Sequence, residues 1–406
     1  MNDAVIVGYA RTPLGRFNGG LSSLSAMDLG GTAIRAALER SGAPVETVGY
    51  VVMGHVLQAG QGQITARQAA FSAGIGMGVP ALTVNKVCLS GMAAIAQADQ
   101  AIRLGEYDVV VAGGMESMSG APYLLPKART GYRMGNGTLV DAMIHDGLWC
   151  AFDDGHMGEG SDRRNAEYGI SREAQDEWSA RSHERAVSAW KDGRYDDEVV
   201  GVEIPQRRGA GGRVTPDSRG SGDPLVVDTD EGMRPGTTRE SLAGLVAAFS
   251  KDGTITAGNA SQISDGAAAM VLASRDAAER LGLTALGRIL SYGSVAGPDP
   301  SLHHQPAAAI ERAAAKVGAD PAGFDLYEMN EAFAAVALYS TRQLGVSEDK
   351  VNVNGGAVAL GHPIGCTGGR ITITLLAELR RRGGGRGAAA LCGGGGQGDA
   401  LIVETL

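Results

Sequence analysis

AIRAALERSGAPVETVGYVVMGH (Ala33–His55) and AIERAAAKVGADPAGFDLYEMNE (Ala309–Glu331) align without a gap. Ala33 meets Ala309, Ile34 meets Ile310, Ala37 meets Ala313, Gly42 meets Gly318, Ala43 meets Ala319 and Met53 meets Met329. Each copy predicts a helix closed by its glycine, then a short loop, then a buried strand. A looser match follows in each half. TVNKVCLSG, a helix and DVVVAGG from Asp108 are echoed by KVNVNGG, CTGG, a helix and AALCGGGG from Ala389. Two resemblances in the same order predict a duplicated α/β unit in which strands and helices alternate.

Between about Ser119 and Lys251 the pattern changes, with Met, Asp, Arg and Gly becoming frequent. An amphipathic helix is expected there, opened by SREA at Ser171 and running to about Trp190. QRRGAGGRVTPDSRGSGDP from Gln206 reads as an exposed loop. TAGNASQISDGAAAMVLAS from Thr256 then resumes an apolar, strand-forming pattern. The expected organisation is a first half of residues 1–118 with 252–275, an inserted loop domain of 119–251, and a second half of 276–406.

Composition narrows the function. The 406 residues are 44% hydrophobic with 62 glycines, which suits packed small residues and many sharp turns. A formal charge of -9 argues against nucleic acid, whose phosphates need a basic face. The basic run RRRGGGRG from Arg380 sits where a helix ends and complements its dipole. No apolar run reaches the roughly 20 residues that cross a bilayer, so no membrane partner is expected. With no targeting segment read at either end, the expected location is cytoplasmic. Four cysteines, none in CxxC spacing, predict neither a disulfide framework nor a zinc site. His303-His304 has no carboxylate or cysteine at ligand spacing, and no metal is expected.

The chemistry-bearing residues lie at the ends of predicted strands. Cys88 precedes a helix expected over Leu89–Leu104, whose N-terminus would lower the thiol pKa. His362 stands among glycines in NGGAVALGHPIGCTGG, just before Pro363. Cys392 ends a strand in ALCGGGGQG, where backbone N–H groups can converge on an oxyanion. Asn330 ends another in YEMNEAF, an amide where an apolar residue is expected. Taken alone, Cys88 is better explained as a small buried hydrophobe. Together the four suggest a site shared between the two halves.

The motifs NKVCLSG, VVVAGGMESMS, HMG at His156, TAGNAS, NEAF, GHPIG and LCGGGGQG occur in one order. In these the chain resembles the thiolase family along nearly its whole length, most closely its short-chain acetyl-CoA acetyltransferases. The resemblance implies a five-layered αβαβα fold and a homodimer or homotetramer. It implies acetyl-CoA, acetoacetyl-CoA and coenzyme A as substrates and products, with no permanently bound cofactor. Cys88 would be the acylated nucleophile, His362 its base, and Cys392 the acid/base for the α-proton and the leaving thiolate. Asn330, through water and with His362, would form one oxyanion hole; the amides of Cys88 and Gly394 would form the other. Arg234 would pack on the adenine, Ser261 would touch the pantetheine arm, and His156 with Met157 would line a short acyl pocket.

Leu89, where the family commonly has Gly or Ala, either crowds the entrance or is simply accommodated, and Cys366 and Cys150 read as structural, with a place in the pocket wall the alternative for Cys366. Gln262 stands where the family often has Gly. The alternative within the family is a broader 3-ketoacyl-CoA thiolase. A ketoacyl-synthase-like enzyme would lack Cys392, and a noncatalytic acyl-CoA carrier would be expected to lose Cys88 or His362. A papain-type hydrolase explains neither the duplication nor the second cysteine, and CGGGGQG lacks the partners of a nucleotide-binding loop.

Overall fold

In a computed structural model that describes residues 3–208, 214–216 and 222–406, the duplication is visible in the order of strands. The first half contributes β1 (Ala4–Arg11), β2 (Tyr50–Gly54), β3 (Ala81–Val84), β4 (Val109–Ser117) and β5 (Ser264–Ser274). The second contributes β6 (Gly287–Ala296), β7 (Leu326–Met329), β8 (Arg386–Gly393) and β9 (Gln397–Thr405). They hydrogen-bond in the order β7-β8-β9-β6-β1-β5-β4-β2-β3. Outward from the β1/β6 junction, both halves run antiparallel, antiparallel, parallel. A parallel bridge of Tyr327 to Val351 stands where β3 pairs with β2. The junction itself rests on one register pair, Ile6 with Gly287.

The helices are α1 (Ala26–Ser41), α2 (Thr65–Ser72), α3 (Ser90–Arg103), α4 (Met157–Glu167), α5 (Arg172–Lys191), α6 (Gln305–Lys316), α7 (Ala334–Leu344) and α8 (Thr367–Arg381). The duplicated helices α1 and α6 end alike but begin differently. Gly42 and Gly318, at φ 70° and 63°, supply the left-handed turn that most side chains resist. At the start, α1 uses a Ser25/Asp28 capping box, whereas α6 has Pro306 in its first turn.

Alternation along the strands sorts the core into layers. Val110, Ala112, Leu391 and Leu401 face a central cluster that also holds Met92 and Ile95 of α3 and Ile371 and Leu375 of α8. Val109 and Val111 face α1 and α2 on one side. Ala390 and Ile402 face α6 and α7 on the other. The strands are thus buried on both faces, which is why they read as unbroken apolar runs. The result is the expected αβαβα fold, with α3 and α8 in the middle layer.

Glycines set how closely the middle helices approach. A Cβ on Gly91 would stand 2.7 Å from the Gly365 carbonyl oxygen, and one on Gly368 would stand 2.3 Å from the Met92 nitrogen. The N-termini of α3 and α8 therefore lie backbone against backbone, and the loops carrying Cys88 and His362 enter side by side.

The helix expected from Ser171 is α5, with the Ser171 side chain accepting from Ala174 N–H. The loop expected from Gln206 is corrected in part. Val202–Arg208, Val214–Pro216 and Gly222–Val227 form a three-stranded antiparallel sheet, while 209–213 and 217–221 lie outside the described residues. Val202 and Ile204 alternate into the outer core, a signal masked by the Gly/Arg-rich run after them. Among the described residues no helix is long and apolar enough to cross a membrane.

Candidate active site

The loop that carries Cys88 is a tight turn between β3 and α3. Val87 adopts φ 51°, a conformation that costs a β-branched residue strain. Its N–H donates to Asn85 Oδ1 at 3.0 Å, while Ser90 Oγ accepts from Lys86 N–H at 2.8 Å and donates to the Val87 carbonyl at 2.6 Å. The turn aims Cys88 into a cavity of about 260 Å³. The backbone N–H groups of Cys88 and Gly394 both act on the Cys88 sulfur to favour its thiolate.

The same cavity is lined by His362 and Cys392 from the second half and by Ser261, His156, Met157 and Gly394. Asn330 sits behind it, its Nδ2 3.5 Å from His362 Nε2. Its Oδ1 is buried and, among the described residues, makes no hydrogen bond. Arg234 is not brought to this cavity; it lines a separate polar pocket with His183, Arg181 and Arg239.

Hydrogen bonding assigns the tautomer of His362. Thr367 Oγ1 lies 2.6 Å from His362 Nδ1 and donates its one hydrogen to the Pro363 carbonyl at 2.8 Å. It therefore accepts from Nδ1–H, leaving the lone pair on Nε2, toward Asn330. Burial, then the charge of Arg370, pushes the imidazole pKa down to about 3. Burial pushes the Cys88 thiol up to about 12 against the two N–H groups, with Glu116 adding to the rise. This corrects the expectation of a depressed thiol: desolvation of the thiolate outweighs the local donors. Cys392 is raised well above its usual value by burial, then by neighbouring Cys88. The site is therefore neutral at pH 7: two thiols and an imidazole whose Nε2 lone pair faces Asn330.

Other expectations are resolved by packing. Leu89 does not crowd the entrance; it is fully buried and lies against Gly393, where a Cβ would stand 2.6 Å from Leu89 Cγ. Cys366 takes the structural place expected of it: it precedes α8, is fully buried and lies outside the cavity wall. His156 carries out the structural task of capping α4, its Nδ1 accepting from Gly158 N–H at 3.0 Å, while its ring stacks on Phe249 and faces the cavity. Gln262 donates to the carbonyls of Gly232 and Val358, and its own carbonyl accepts from His362 N–H at 3.0 Å. It thereby ties the histidine loop to two others.

Three contributors were missed from sequence. Thr367, five residues after His362, opens α8, where a threonine draws no attention. Glu116 interrupts the apolar run of β4 and accepts from Val56, Leu57 and Gly365 N–H groups, joining the loops around both helix starts. Glu331 accepts from Trp178, Ser182, Asn352 and Val358, fixing the chain beside Asn330. No local pattern marks its four partners, which are scattered through the sequence.

Comparison with known proteins places this architecture. Residues 4–276 match the model of the thiolase N-terminal domain and residues 283–405 that of the thiolase C-terminal domain. A Mycolicibacterium smegmatis protein named "Probable acetyl-CoA acetyltransferase" is 56% identical over 98% of this chain and 100% of its own length. The acetyl-CoA acetyltransferase of Cupriavidus necator is 50% identical, covering 100% of each chain. The crystal structure of the Bacillus anthracis acetyl-CoA acetyltransferase superposes with a TM-score of 0.94 at 41% identity, covering 100% of this chain and 99% of that one. With both domain models matched in sequence order and relatives similar from end to end, the chain belongs to the thiolase family.

Proposed function

We propose that the chain is an acetyl-CoA C-acetyltransferase that condenses two acetyl-CoA molecules to acetoacetyl-CoA and coenzyme A, and catalyses the reverse thiolysis, through acetyl-Cys88. The observation that carries this reading is the meeting of Cys88, His362 and Cys392 in one cavity, with Gly394 also in its wall.

In the first half-reaction the Cys88 sulfur attacks the thioester carbonyl carbon while His362 Nε2 takes the thiol proton. A neutral pair suits this, because the proton moves as the new bond forms and no buried charge need stand alone beforehand. The carbonyl oxygen becomes negative between the N–H groups of Cys88 and Gly394; removing one such donor costs about 10²- to 10³-fold in other enzymes. The intermediate collapses, the carbon–sulfur bond to coenzyme A breaks, and the departing sulfur takes the Cys392 proton.

In the second, the Cys392 thiolate removes an α-proton from the next acetyl-CoA. The enolate oxygen is held by His362, now carrying its proton on Nε2, and by Asn330 through water. The enolate carbon attacks acetyl-Cys88; acetoacetyl-CoA leaves and His362 returns its proton to Cys88. Protons balance and each group ends as it began.

The mostly apolar cavity walls suit a pantetheine arm, with Ser261 beside it and Arg234 at the adenine end. His156 and Met157 close the acyl end, favouring two- to four-carbon groups over the range of a broader 3-ketoacyl-CoA thiolase. The inserted unit of 119–251 would carry much of the coenzyme A contact, with 1–118 and 252–275 forming one half and 276–406 the other. The cytoplasm is the location we assign. We read the chain as a homodimer or homotetramer, since the edge strand β3 exposes Leu82, and Phe71 and Met77 are exposed as well.

Cys392→Ala separates the half-reactions. It is expected still to form acetyl-Cys88, more slowly because the departing sulfur must take its proton from water, but to lose exchange of the acetyl-CoA α-protons with deuterated solvent, read by mass spectrometry. Retained exchange would assign that proton to another base. Steady-state rates with acetoacetyl-CoA and with longer 3-ketoacyl-CoA substrates test the chain-length reading, which predicts preference for the former.

A further inference from the structure

The loop that presents Cys88 is held from across the molecule. Lys86 Nζ donates to Asp399 Oδ1 at 2.7 Å, to Ser294 Oγ at 3.0 Å and to the Tyr292 hydroxyl at 3.4 Å. These partners belong to the second half: Asp399 lies on β9, with Ser294 directly opposite it on β6. Asp399 is fully buried and its Oδ2 makes no hydrogen bond among the described residues, so the lysine is the counter-charge it faces. Lys86 keeps 24% of its side chain exposed, enough to reach the carboxylate without complete desolvation.

Two features place this pair next to the chemistry. Lys86 adjoins Val87, the strained residue whose φ of 51° turns Cys88 toward the cavity. Asp399 pairs with Leu391 in the β8–β9 hairpin, whose connecting turn carries Gly394. Cys88 and Gly394, which line the same cavity, thus lie on the two segments that this ion pair joins. Val87 also packs on the turn directly, its methyl carbons 3.5 and 3.6 Å from where a Cβ on Gly394 would stand.

We propose that the Lys86–Asp399 pair is a positioning device that fixes the nucleophile loop against the Gly393–Gly396 turn and so sets the oxyanion hole formed by the Cys88 and Gly394 N–H groups. It rests on the reading of Cys88 as the acylated residue. Lys86 touches no reacting atom; it acts through the backbone on either side. A surface lysine would contribute little, but this carboxylate is buried and the loop it holds is strained, so losing the tie lets Val87 relax and the two donors separate. Misplacement of reacting groups by about 1 Å costs on the order of 10²-fold in rate.

Lys86→Met alone leaves a bare buried carboxylate and risks unfolding. Removing both charges in Lys86→Met/Asp399→Leu avoids that, since buried pairs are often replaced by apolar residues without loss of stability. The folded double variant, checked by thermal denaturation, is expected to form acetyl-Cys88 in single turnover about 10- to 100-fold more slowly, with KM for acetyl-CoA little changed. Lys86→Arg is expected to recover most of the rate. Should the double variant not fold, Lys86→Gln, which keeps a neutral donor opposite Asp399, carries the same measurement. Acetylation at the unaltered rate in the folded neutral variant would reduce the pair to a structural contact and overturn the proposal. Absence of acetyl-Cys88 in the unaltered chain would instead overturn the assignment of the nucleophile.

Discussion

At the scale of single residues, the decisive feature is that Cys88 and His362 are both neutral at pH 7. The thiol is pushed up to about 12 and the imidazole down to about 3, both chiefly by burial. Thiolate therefore becomes more abundant throughout the neutral and mildly alkaline range instead of saturating there. Alkylation of Cys88 by iodoacetamide is expected to accelerate about tenfold per pH unit between pH 7 and 9. A plateau beginning near pH 6 would reveal a preformed thiolate–imidazolium pair. The residue types at Cys88, His362, Asn330 and Cys392 were legible because each interrupts an apolar or glycine-rich stretch. Their protonation was not: a helix start can be read from sequence, whereas desolvation depends on everything that folds over it. Thr367, which fixes the tautomer, was hidden for the opposite reason, since a threonine in a first helical turn is too ordinary to notice.

At the scale of elements, close approach of small residues positions the site. Leu89 and Gly393 form a matched pair between the nucleophile loop and the end of β8. Leu89→Ala is expected to cost about 2–5 kcal/mol by opening a cavity. Gly393→Ala, lacking space for a methyl group, is expected to cost about 1–3 kcal/mol and to slow turnover by displacing Gly394. In the double variant the two changes should compensate, with a coupling of about 0.5–3 kcal/mol measured by urea denaturation. Strict additivity would show that the loops do not press on each other there. Sequence left open whether Leu89 crowds the entrance or is accommodated; in the fold Cys88 lines the cavity while Leu89 is buried against Gly393. The strands at Val202–Arg208 and Gly222–Val227 were obscured in a comparable way, their alternation too short to stand out beside the glycine-rich run.

At the scale of the whole molecule, duplication made the architecture readable, because the gapless match of Ala33–His55 with Ala309–Glu331 revealed two halves before any strand was paired. It did not reveal the closeness of α3 and α8, which depends on which glycines face each other. Burial of histidines is also a property of the whole. His183 and His303 are held at about 4 and His362 at about 3, each mainly by burial. An unfolded chain protonates them near pH 6.5, so their contribution to stability is present above that value and is lost as pH falls toward 4. At pH 5, calorimetric unfolding of His362→Asn is expected to take up about one proton fewer than the unaltered chain; equal uptake would place His362 in a solvated setting. The central claim is that the two halves converge to make Cys88 a nucleophile for acetyl-CoA. Its most direct test is peptide mass spectrometry after brief incubation with acetyl-CoA: one acetyl group is expected on the peptide containing Cys88 and none in Cys88→Ser, whereas labelling at another residue, or none in the intact protein, would contradict it.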